Sequence, residues 1–105
     1  MPKGDIVLVS FPFTDLSDNK IRPSLVLIEA EYDITVSFIT TQTGWNDEVS
    51  VMITATSENG LKKDSLIRLN KLATIDKELV KGKIGALNKQ EITIVNQKLK
   101  DILLL

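Results

Sequence analysis

One hundred and five residues make a single domain, 1–105, with no room for a second core, and 43% apolar with 26% charged residues is ordinary globular usage. The chain contains no cysteine and no histidine. That excludes disulfides, thiolate metal sites, a cysteine nucleophile, a Ser-His-Asp triad, an imidazole base and the usual kind of zinc site. Thirteen basic and 14 acidic side chains leave a net charge of −1, without the basic excess of a strong nonspecific nucleic-acid binder.

The longest apolar runs, residues 6–9 and 25–28, fall far short of the ~20 residues that span a bilayer. No secretory signal pattern precedes the first strand pattern, so the expected location is cytoplasmic. Residues 6–11 form a compact apolar run, which predicts a strand buried on both faces. Pro12 and residues 14–20 are rich in turn formers and predict a loop. A second strand is expected over 21–29, with Pro23 placing that end at an edge or a strand start. Ile34, Val36 and Phe38 alternate cleanly with polar residues and predict a third strand. A polar loop through Thr43-Gly44-Trp45-Asn46 follows, then Val49, Val51 and Ile53 alternate as a fourth strand. After a loop through Asn59-Gly60, residues 65–69 and 72–75 read as separate fifth and sixth strands. Gly82 and Gly85 bracket Lys83-Ile84, where a turn or a close backbone approach is expected.

The C-terminal segment has a different period. Asn88 followed by Glu91 is a capping-box pattern, and Ile92, Val95, Leu99 and Ile102 make an apolar stripe at helical spacing. A helix is therefore predicted over 89–103, packed on the strands or on a partner. Five or six short strands plus this helix predict a mainly β domain, a small barrel or sandwich.

Several segments together carry a resemblance. Gly4-Asp5-Ile6-Val7-Leu8-Val9, Phe11-Pro12-Phe13-Thr14-Asp15 and Arg22-Pro23-Ser24-Leu25-Val26-Leu27 resemble the opening of a PemK/MazF-type toxin of a type II toxin–antitoxin system. Ile39-Thr40-Thr41-Gln42, Gly60-Leu61-Lys62-Lys63-Asp64-Ser65, Thr74-Ile75-Asp76-Lys77 and Lys83-Ile84-Gly85-Ala86-Leu87 resemble the same family in the same order. The resemblance implies an SH3-like small β-barrel of the CcdB/MazF/Kid type with a C-terminal helix, assembled as a homodimer. It also implies an endoribonuclease that needs neither metal nor cofactor. Such an enzyme cuts single-stranded RNA to a 2′,3′-cyclic phosphate and a 5′-hydroxyl, and a cognate antitoxin blocks it. The gyrase poison CcdB has the same fold without the nuclease, so a noncatalytic barrel acting by protein binding is the second reading.

RNA supplies its own nucleophile, the 2′-hydroxyl, so the protein must align it, neutralise phosphate charge and manage two proton transfers. Arg22 matches the arginine of the family's Arg-Pro motif, and its planar fork suits a pair of phosphate oxygens. Its alternative is an exposed strand-end ion pair with Asp15 or Asp18. Thr40, matched to the family threonine after the third strand, has a hydroxyl that can donate to phosphate or position the nucleophile. The competing role is ordinary strand packing beside Phe38. Arg68-Leu69-Asn70 stands where the PemK/Kid branch carries an Arg-x-Asp acid–base pair. Arg68 is retained there, whereas the Asn70 amide cannot take a proton, which leaves Asp18 as a substitute base. Lys20, Thr41, Gln42, Asn70 and Trp45 are the expected substrate contacts, Trp45 by stacking on an unpaired base or else by packing at the barrel or dimer interface.

Overall fold

Among the described residues there are six antiparallel strands, most of them the alternating and apolar runs of the sequence, and the capped stripe at the C-terminus forms one α-helix. The computed structural model describes residues 1–11 and 20–105, with the side chains of Phe11, Lys20 and Trp45 outside that description. The strands are β1 (Asp5–Phe11), β2 (Lys20–Glu29), β3 (Asp33–Thr40), β4 (Ser50–Ile53), β5 (Ser65–Asp76) and β6 (Val80–Ala86), followed by α1 (Lys89–Leu103). They pair in the order β4-β5-β3-β2-β1-β6. Of the predicted loop, Pro12 and residues 14–19, with Asp15 and Asp18, lie outside the described residues. Lys20, expected in that loop, instead opens β2, its backbone paired with Phe11 of β1.

Apolar side chains are buried on both sides of this sheet. One core gathers Ile6, Leu25, Ile39, Ile53 and Ile67 from five strands, with Leu69, Leu87 and Val95. The other holds Val7, Val9, Val26, Ile34, Val36 and Ile75. Odd and even neighbours of β1 thus divide between two cores, so the run over 6–11 is apolar at nearly every position. The α1 stripe of Ile92, Val95, Leu99 and Ile102 packs entirely on the first core. Asn88 accepts the Glu91 N–H at 2.8 Å and Glu91 accepts the Asn88 N–H at 2.9 Å, the predicted capping box. Val95→Ala, in the middle of that seam, is expected to cost about 2 kcal/mol in urea unfolding, because a fully packed site closes poorly over lost methyl groups.

Three local expectations change. The separate strands over 65–69 and 72–75 are one strand, β5, whose ladder with β3 jumps from Phe38↔Arg68 to Ser37↔Leu72. Leu69, Asn70 and Lys71 bulge out of that ladder, and the polar break in the sequence is this bulge rather than a turn. The segment around Gly82 and Gly85 is likewise strand, not turn, but the expected close approach exists. A Cβ on Gly85 would collide with the Glu58 and Asn59 backbone. Pro23 lies inside β2, an interior strand, opposite Leu8 of β1. The ladder to β3 begins only at Ser24↔Phe38, since a residue without an N–H cannot extend it.

Candidate active site at one end of the sheet

Directly paired residues of an antiparallel sheet point to the same face, and faces alternate along each strand. The register joins Val9 to Arg22, Ser24 to Phe38, Phe38 to Arg68 and Thr40 to Leu66. Arg22, Thr40 and Arg68 therefore share one face, the side of the second core and away from α1. Continuing the β2–β3 register by two residues places Arg22 opposite Thr40. Arg68 stands one row further in, between Phe38 and Ser50.

Arg22 is exposed near the start of β2, while Thr40 at the end of β3 and Arg68 are half-buried. Thr40 Oγ1 accepts the Gln42 N–H at 3.1 Å, which uses an acceptor lone pair and leaves the hydroxyl hydrogen to donate elsewhere. The Arg68 backbone is fixed from β3, where Ser37 Oγ donates to its carbonyl at 2.7 Å. This face thus offers two guanidinium groups and a hydroxyl donor, a set suited to a phosphate oxyanion.

The substrate contacts expected from sequence divide. Gln42 is exposed just beyond Thr40, and Asn70 is exposed on the β5 bulge, outside the regular ladder beside Arg68. Thr41 faces the other way and, with Pro23, lines a cavity of about 410 Å³ on the α1 side of the sheet. Trp45 ends a short 3-10 turn, Thr43–Trp45, and its ring, like the Lys20 side chain, lies outside the described residues. The ion pairs weighed for Arg22 with Asp15 or Asp18 lie outside them too. Ser24 was not singled out by sequence, where it reads as an interruption in an apolar strand. It is completely buried two residues from Arg22 on the same face, and its hydroxyl has no hydrogen-bond partner among the described residues.

Residues 2–103 match the family model of the PemK-like, MazF-like toxins of type II toxin–antitoxin systems. The chain belongs to this family. Among solved structures, it resembles the Mycobacterium tuberculosis toxin MazF-mt6 at 21% identity and a TM-score of 0.79, over 96% of this chain and 97% of that one. An endoribonuclease from a mycobacterial species, solved in complex with its cognate antitoxin, is 15% identical with a TM-score of 0.79, over 100% and 97%. An endoribonuclease from a mycobacterial species is 16% identical with a TM-score of 0.75, over 100% and 92%. No curated protein matches the chain. At these identities the structural likeness establishes the fold, a mainly β sheet with one C-terminal helix shared with MazF-type toxins. Among the described residues no helix is long and apolar enough to cross a membrane.

Proposed function

We propose that this toxin is a cytoplasmic, metal-independent endoribonuclease, a single 1–105 domain that cuts single-stranded RNA and is held inactive by a cognate antitoxin. The observation that carries the reading is the shared face of Arg22, Thr40 and Arg68 at one end of the sheet. In the reaction the RNA 2′-hydroxyl attacks the adjacent phosphorus and loses its proton to a base. The new O2′–P bond forms as the P–O5′ bond breaks, and the departing 5′-oxygen takes up a proton. Charge grows on the nonbridging oxygens, where the Arg22 fork and the Thr40 hydroxyl strengthen their hold. Arg68 adds a second cation, and Lys20, Thr41, Gln42, Asn70 and Trp45 hold the strand. A guanidinium keeps its proton and an amide accepts none, so the base lies outside Arg22, Arg68 and Asn70, with Asp18 the candidate.

Two measurements test this reading. Purified protein incubated with single-stranded RNA and a chelator is expected to leave 2′,3′-cyclic phosphate and 5′-hydroxyl ends. Cleavage lost in chelator and restored by magnesium would overturn the mechanism. The active form is a homodimer, because a domain this small gains stability by burying a further patch across a two-fold axis. Light scattering should give about 23 kDa, twice the 11.7 kDa chain. A mass of one chain at micromolar concentration would remove the dimer.

A further inference from the structure

Pro23 and Thr41, next in the chain to Arg22 and Thr40, line the 410 Å³ cavity on the opposite face of the same sheet end. Leu8, Leu61 and Ile84 add apolar walls, and Leu61 and Ile84 also rest on the first core. Lys62 and Lys63 are exposed at the rim. An apolar cavity with paired ammonium groups at its mouth suits a flat, weakly polar group carried on an anionic chain. We propose that it receives one base of the RNA substrate, one or two nucleotides from the scissile phosphate, with Lys62 and Lys63 on the flanking phosphates. The inference rests on the nuclease reading above.

Two observations support this occupant. Side chains of successive strand residues point to opposite faces, so the cavity lined by Pro23 and Thr41 lies across the sheet from their chain neighbours Arg22 and Thr40. The wall carrying Leu61, Lys62 and Lys63 is rigid before any ligand arrives. Asn59 is fully buried, its Nδ2 donating to the Thr54 carbonyl at 2.8 Å and its Oδ1 accepting from Thr56 and Leu61 N–H at 3.0 Å. Gly60 adopts φ +73° with no space for a Cβ against the Ile84 carbonyl, so the loop sits directly on β6. A wall already in place loses little entropy on binding.

The test uses a cleaved single-stranded RNA and a series carrying an abasic residue at each position in turn. For the wild-type protein, kcat/KM should fall tenfold or more at one position within two nucleotides of the cut. Leu61→Trp, which fills the cavity, should cut intact and abasic RNAs at that position within twofold of each other. Lys62→Ala combined with Lys63→Ala, a surface change that preserves folding, should raise KM at least fivefold and act on KM rather than kcat. If no position is sensitive, or if Leu61→Trp retains the wild-type dependence, the base site is wrong while the nuclease stands. If Leu61→Trp leaves RNA discrimination intact but abolishes antitoxin neutralisation, the cavity belongs to a protein segment and the proposal fails. If the protein cuts no RNA, the nuclease reading falls, and anisotropy with the 2′-deoxy series decides the cavity separately. Position-specific loss of affinity then supports a base site, and uniform affinity overturns it.

Discussion

Replacing Arg22 with alanine is expected to slow RNA cleavage by two or more orders of magnitude, at least about 2.7 kcal/mol of transition-state stabilisation. On the proposed mechanism the guanidinium meets charge that develops only as the O2′–P bond forms, so RNA affinity should fall far less than the rate. Ground-state grip is, on the same proposed mechanism, shared with Lys20, Thr41 and Gln42. Arg22→Lys should rescue poorly, because an ammonium keeps the charge and loses the bidentate fork. Arg22 is exposed and joins β1 through its backbone register with Val9, so the alanine variant should melt within a few degrees of wild type. A folded Arg22→Ala that cuts at the wild-type rate would end the catalytic assignment. A variant that unfolds would make Arg22 structural instead.

Asn59→Ala should be among the most destabilising single changes in this chain, at about 3 kcal/mol or more. The side chain is completely inaccessible and satisfies the Thr54 carbonyl and the N–H groups of Thr56 and Leu61. Alanine leaves all three without that partner, and a stranded buried polar group costs roughly 1–3 kcal/mol. Because Ala86 N–H donates to the Glu58 carbonyl at 3.0 Å, the damage should spread to the β6 edge. In a domain of this size the loss corresponds to a fall in Tm of roughly 12–24 °C. A melting temperature within about 3 °C of wild type for the alanine variant would show that the loop is held by other means.

The helix was legible to the residue because its determinants are local. A cap three residues from its partner and a stripe at helical spacing need no distant chain to act. The strands over β1 to β4 were legible for a similar reason, since alternation and apolar runs record burial directly. The merging of two short runs into β5 was not legible. A bulge arises from the mismatch between β5 and β3, and nothing near Asn70 distinguishes it from a turn. The strand character of β6 was hidden in the same way, because Gly82 and Gly85 look like turn residues until Glu58 and Asn59 are packed against them.

For the candidate site, the sequence supplied Arg22, Thr40 and Arg68 as chemical types in family-like segments, without their relation to one another. Their common face follows from three inter-strand registers, each joining residues far apart in the chain. The cavity beside Thr41 was equally invisible, since its walls come from β1, β2, β6 and the loop that buried Asn59 holds in place. By itself the sequence determined the chemistry excluded by the lack of cysteine and histidine, the family, most of the elements and the capped helix. Only the tertiary structure decided which side chains share a face and where a cavity forms. Local patterns encode backbone geometry and burial, whereas registers and bulges depend on pairing between segments that no local window contains.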